Sequence, residues 1–139
     1  MLDGATMAAA FALGAEGIQM GTRMVSSTES PVHGNWKQAI LDAAETDTVM
    51  LNRHASPALR ALRTERTTAL EFDTENNAMA LFGRAMDLYF GGDMEAAVAL
   101  GGQVAGRIDE VRPVADIIRE CADDCLALLQ ALAKQYPLP

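Results

Sequence analysis

Apolar positions along this sequence fall mostly at helical spacing, with two short extended runs between them. Residues 3–13 predict a helix. Asp3 is a candidate N-cap, Met7, Ala10 and Phe11 share one face, and Gly14 stands at the C-terminal end. Gly17-Ile18-Gln19-Met20 alternates and predicts a short strand whose edges need partners. Ser26 to Ser30 reads as a polar loop, and Ser30-Pro31 as a helix start with Pro at the first helical position. Trp36, Ile40, Ala43 and Ala44 give that helix an apolar face.

Thr48-Val49-Met50-Leu51 predicts a second strand, followed by the polar turn Asn52-Arg53-His54. Pro57 to Leu62 reads as helical. Asp73 or Thr74 caps a helix to Phe90, with the stripe Ala78, Leu81, Phe82, Ala85, Leu88 and Tyr89. Gly91-Gly92 ends it, and Asp93 opens a short helix through Ala99. Pro113 opens the longest helix, to Gln135. Its packing stripe is Val114, Ile118, Cys121, Cys125, Leu128 and Leu132, and Pro137 stops it.

A length of 139 residues suits one ordinary domain, and an apolar share of 50% is enough for a core. Aromatics make up 5%, so Ala, Leu, Met and Val must do the packing. A formal charge of −8 argues against non-specific nucleic-acid binding, which needs a surplus of Lys and Arg. No apolar run reaches the roughly 18 residues of a membrane span, so no membrane partner is expected. The first residues lack a basic region followed by an apolar core, and no signal peptide is expected. Two cysteines make no disulfide framework, which sets the expectation of a reducing, cytoplasmic location.

Candidate chemistry is sparse. Gly21-Thr22 follows an apolar run. A glycine there lets backbone approach a phosphate, and the Thr22 hydroxyl can donate to it, best where a short helix begins. The competing reading is a plain strand-ending turn. His33 and Lys37 sit one turn apart, within reach of an anion or simply on a solvated edge. His54 has no Ser, Cys or carboxylate at a telling spacing. Arg60, Arg63 and Arg66 recur every third residue, a phosphate-binding row or a solvated face diluted by Glu65 and Glu71. Gly101 to Gly106 is a flexible stretch without the βαβ context of a dinucleotide fingerprint, and otherwise reads as a linker between helices. Cys121 and Cys125 read as buried small apolar residues, since a structural zinc site needs four ligands. No Ser-His-Asp set, metal-ligand cluster or Walker loop stands out.

Asp3-Gly4, Ala8-Ala9-Ala10 and the run Leu13 to Arg23 together resemble the last barrel segment of the nitronate monooxygenase family, also known as 2-nitropropane dioxygenases. Related flavin enoyl-ACP reductases carry a similar segment. Glu29-Ser30-Pro31, His33 and Trp36-Lys37 continue the resemblance, and Gly102 to Gly106 is similar to a late loop near the active site. The likeness is strongest over residues 3–37 and 101–120. It implies FMN as cofactor, with Gln19, Met20, Gly21 and Thr22 at its phosphate and Gly102 and Gln103 near flavin and substrate.

The implied fold is mostly α with a little β: the last helix and strand of a (β/α)8 barrel plus appended helices. Residues 1–30 would be the last barrel segment with the FMN-phosphate loop, and residues 31–139 the helical C-terminal region of the same domain. A whole barrel takes about 250 residues. The family's preceding phosphate-loop glycines and its catalytic histidine would lie before Met1. The expectation is therefore a C-terminal part with no catalytic residue of its own, inactive alone, and prone to self-association. The implied parent activity is oxidation of an alkyl nitronate by molecular oxygen. The alternatives are flavin enoyl-ACP reduction and a non-catalytic helical interaction protein using Val114 to Leu132.

Overall fold

Asp3 starts the first helix. Its Oδ1 accepts from the Thr6 N–H at 2.8 Å, and the Thr6 Oγ1 accepts from the Asp3 N–H at 3.2 Å, a reciprocal capping box. The same helix ends at Gly14, whose φ is +94°. There the Gly14 N–H bonds the Phe11 carbonyl at 2.9 Å and the Ala15 N–H bonds the Ala10 carbonyl at 3.0 Å. This is the Schellman pattern, and it needs a residue that tolerates the left-handed region.

The computed structural model describes residues 1–137. The elements in order are α1 (Gly4–Ala12), α2 (Thr22–Val25), α3 (Gly34–Leu41), β1 (Thr48–Leu51), β2 (Leu59–Leu62), α4 (Glu65–Leu70), α5 (Ala85–Tyr89) and α6 (Val114–Gln135). Two 3₁₀ turns cover Ala78–Arg84 and Gln103–Arg107. The architecture is mostly helical with a small two-stranded sheet, as expected. The described residues group into two units, residues 1–20 with 112–137, and residues 21–111.

In the first unit α1 packs on α6. A Cβ at Gly4 would sit 2.5 Å from the Asp124 Cβ and 2.6 Å from the Cys125 nitrogen, so only glycine permits this approach. Ile117, Cys121 and Cys125 are the buried face of α6, and the Cys121 Sγ donates to the Leu2 carbonyl at 3.4 Å. Both cysteines are buried, as expected of small apolar residues. The expected stripe is corrected: Ile117 is buried, whereas Ile118 is 52% and Leu132 42% exposed. With 9 residues α1 is about 13 Å long and with 22 residues α6 is about 33 Å, so α1 covers only part of it.

The strand expected over Gly17–Met20 does not form. Extended backbone becomes a strand only when a neighbour pairs with its N–H and C=O groups, and no described segment does so here.

In the second unit β1 and β2 pair antiparallel, with Val49 opposite Ala61 and Leu51 opposite Leu59. This face buries Val49, Leu51 and Ala61 against Ala78 and Val98. The helix expected over Pro57–Leu62 is thus corrected to β2. Its Ala, Leu and Arg residues favour helix locally. The ladder with β1, together with the bonds that residues 99–101 make to its other edge, outweighs that weak preference. The far edge of β2 is covered as well: the Leu62 N–H bonds the Ala99 carbonyl at 2.9 Å, and the Gly101 N–H bonds the Arg60 carbonyl at 3.2 Å.

Three further boundaries differ from expectation. Helix α3 spans Gly34–Leu41, and its start is set by His33, whose Nδ1 accepts from the Asn35 N–H at 3.1 Å. The single helix expected from Asp73 to Phe90 is divided. Asp73 Oδ1 accepts from the Glu75 and Asn76 N–H groups at 2.8 and 3.0 Å, and Asn77 Oδ1 accepts from the Met79 N–H at 2.9 Å. Such side-chain bonds compete with helix, so only the 3₁₀ turn and α5 form. Residues 93–99 are not helical either. Glu95 is drawn to the start of α4, accepting from the Glu65 and Arg66 N–H groups at 3.1 and 2.8 Å, and Ala99 is drawn to β2. Trp36 and Ile40 on α3 are buried as expected, with Tyr89 edge-on to Trp36 at 4.8 Å between ring centroids.

Candidate functional site

Two glycine-containing stretches meet within the second unit. Helix α2 begins at Thr22 with Gly21 as its N-cap residue. Thr22 is buried, and its Oγ1 accepts from the Gly102 N–H at 2.8 Å. A hydroxyl oxygen accepts twice and donates once, so this bond leaves the Thr22 proton for another acceptor. On the opposite side Gly101 is pinned to β2 through the Arg60 carbonyl. Sheet pairing therefore carries the glycine loop to the start of α2.

Gly21, Thr22, Leu59, Arg60, Gly101 and Gly102 line an open cavity of about 390 Å³ at this meeting point. A Cβ built on Gly21 meets nothing within 4 Å, so the chain itself does not demand glycine there. What glycine preserves is open space at the cavity edge. Gly101 is constrained instead, because a Cβ there would lie 3.0 Å from the Leu62 Cδ2. Buried Arg23, next in sequence, steadies α2: its Nη1 donates to the Glu110 carbonyl at 2.7 Å.

The charge at the cavity comes from Arg60. It is half-buried, and its Nη1 donates to the Thr48 Oγ1 at 3.1 Å. Among the described residues no carboxylate pairs with it. The arginine row of the sequence does not survive as one surface. Arg63 meets Glu71 at 3.2 Å, Arg53 meets the same carboxylate at 3.3 Å, and Arg66 lies exposed on α4.

The remaining candidates are placed as follows. Gln19 is exposed and Met20 half-buried, and both belong to the first unit, whereas Gly21 and Thr22 belong to the second. Gly102 lines the cavity, but Gln103 is exposed in the following 3₁₀ turn and does not. His33 is committed to capping α3, and His54 is exposed in the β1–β2 connection. The reach of Glu95 to the first N–H groups of α4, beside the Thr64 cap, was not legible in the sequence, since about 30 residues separate it from the groups it holds. Among the described residues no group of three or more His, Cys, Asp or Glu is placed to hold a metal ion, and no helix is long and apolar enough to cross a membrane.

The sequence model of the family described as nitronate monooxygenase matches residues 1–124. A probable nitronate monooxygenase of Staphylococcus saprophyticus is 38% identical over 76 residues, 54% of this chain and 21% of that protein. One of Staphylococcus haemolyticus is 35% identical over 65 residues, 47% of this chain and 18% of that protein. Among solved structures, FabK from Thermotoga maritima superposes with a TM-score of 0.88 at 38% identity, over 98% of this chain and 45% of that one. The chain thus matches about a fifth of those curated relatives and less than half of the FabK chain. Since the family match takes in the Gly21-Thr22 and Gly101-Gly102 stretches and most of the remaining residues, the chain belongs to the nitronate monooxygenase family.

Proposed function

We propose that this chain is the C-terminal, phosphate-holding part of an FMN-dependent oxidoreductase that oxidises alkyl nitronates with molecular oxygen. The observation that carries the reading is the Thr22–Gly102 hydrogen bond, which brings the two resembling glycine stretches to one cavity. The donor set there fits a phosphate monoester: a hydroxyl proton, glycine backbone that a ligand can approach, and a guanidinium without a carboxylate. In the family-like arrangement Gln19 and Met20 join Gly21 and Thr22 at the phosphate, and the Gly102-Gln103 loop approaches flavin and substrate.

When bound, the flavin supplies the electron transfer. The residues of this chain bind and orient. Gly102 occupies one lone pair of Thr22 Oγ1, which leaves the hydroxyl to donate to a phosphate oxygen. Gly21 keeps side-chain bulk away from the same oxygen. No residue here is assigned a proton-transfer step, so the pure 139-residue chain with added FMN is expected to turn over no alkyl nitronate.

The test is a flavin fluorescence titration. Saturable quenching of FMN that is weakened by Gly21→Val supports the reading. Equal FMN affinity in the two proteins overturns it. A second reading, flavin enoyl-ACP reduction, is favoured by the superposition on FabK along 98% of the chain. With the family's upstream barrel segments supplied, nitronate-dependent oxygen uptake supports the first reading, and reduced-nicotinamide-dependent reduction of an enoyl thioester supports the second.

A further inference from the structure

Arg60 is held at three points. Its backbone lies in the β1–β2 ladder opposite Met50, and its carbonyl accepts from the Gly101 N–H at 3.2 Å. Its side chain leaves the sheet on the face away from Leu59 and Ala61, as strand alternation requires, and its Nη1 donates to the Thr48 Oγ1 at 3.1 Å. Thr48 is itself 9% exposed and sits on the neighbouring strand, so the anchor is rigid. A guanidinium has five N–H donors. Thr48 takes one, and no carboxylate among the described residues takes another.

In this chain of net charge −8 several other arginines meet a carboxylate, and Arg66, which meets none among the described residues, is exposed where Arg60 is half-buried. Arg53 and Arg63 share Glu71, Arg84 meets Asp87 and Arg119 meets Asp116. Arg60, which meets no carboxylate among the described residues, belongs to the lining of the cavity with Gly21, Thr22 and Gly102. An oxyanion is the group that completes such a fork, since guanidinium matches phosphate oxygens two at a time.

We propose that Arg60 is the charged recognition residue of this cavity, selecting a terminal phosphate, and that Thr48 is the positioning residue that aims it. The identification of that phosphate as the one on FMN rests on the function proposed above; the recognition of a phosphate does not.

The experiment uses the 139-residue chain and three probes: FMN, riboflavin, which has the same ring system without the phosphate, and inorganic phosphate. Affinities are read by fluorescence titration and by phosphorus NMR line broadening. Arg60→Gln is expected to weaken FMN by about ten- to a hundredfold, while riboflavin changes by less than about twofold and phosphate binding is lost. Arg60→Lys, which keeps the charge but not the fork, should retain part of the FMN affinity. Thr48→Val should lower FMN affinity by less than Arg60→Gln and leave riboflavin alone. Should Arg60→Gln fail to fold by circular dichroism, the Lys and Thr48 variants read the same contrast.

Equal losses for FMN and riboflavin, or no change in phosphate binding, overturn the proposal, because a merely structural arginine would produce them. Absence of both FMN and phosphate binding in the wild type overturns it too. Phosphate binding that depends on Arg60, without any preference of the protein for FMN over riboflavin, supports the recognition role and removes the flavin reading alone.

Discussion

The Thr22 hydroxyl oxygen and the Gly102 N–H are 2.8 Å apart although 80 residues separate them in sequence. This bond joins the start of α2 to the loop that runs along β2. It makes Thr22 both a structural acceptor and a candidate ligand donor, so its two roles are separable by substitution.

Thr22→Ala removes the acceptor and leaves the Gly102 N–H without its partner. Unfolding in urea is expected to show a loss of about 1–3 kcal/mol, the cost of an unsatisfied, partly buried donor. FMN affinity should fall about ten- to a hundredfold, because a hydrogen bond to a charged group goes with it. Thr22→Ser keeps the hydroxyl and should recover most of both effects.

Gly21→Val separates ligand access from folding. A Cβ there meets nothing within 4 Å, so the urea midpoint should move little. The FMN titration should nevertheless show a larger loss than Thr22→Ala, since the side chain occupies the space at the cavity edge. His54→Ala is the control: exposed in a turn outside the cavity, it should leave FMN affinity unchanged.

Gly4→Ala sets two effects against each other. Alanine favours helix over glycine by about 1 kcal/mol. Its Cβ, however, would meet backbone of α6 at 2.6 Å, where nothing flexible can give way. Overpacking of this kind costs about 1–3 kcal/mol, so the expected sign is destabilising. A thermal midpoint raised by the substitution would show that α1 and α6 can move apart without loss.

Asp73 titrates with the turn it holds. Its carboxylate accepts from the Asn76 side chain first, then from the Asn76 and Glu75 N–H groups, and these bonds hold its pKa below the ordinary Asp value. With the folded pKa depressed, the contribution is present at neutral pH and disappears as pH falls through the folded value. Carbon NMR of the carboxyl should therefore give a low midpoint, moved back towards the ordinary value by Asn76→Ala. An unchanged midpoint in that variant would assign the shift to other groups.

Elements set by neighbours in sequence were legible. The N-cap at Asp3, the stop at Gly14 and the buried face of Trp36 and Ile40 each depend on residues within about one turn. Gly21, Thr22 and Gly102 were legible as candidates through resemblance, but nothing local indicated that they share a cavity.

What the sequence determined by itself is the mostly helical character, the strand Thr48–Leu51, the long helix from Val114 and the family to which the glycine stretches belong. Tertiary structure alone decided that Leu59–Leu62 pairs as a strand, that Gly17–Met20 does not, and that Arg60 reaches the cavity beside Thr22 while Arg63 turns to Glu71. The physical reason is the same in each case. Local preferences for helix or strand are worth a few tenths of a kcal/mol to about 1 kcal/mol per residue. A ladder partner, or its absence, outweighs them, and which segment meets β1 is settled only when the chain folds back on itself.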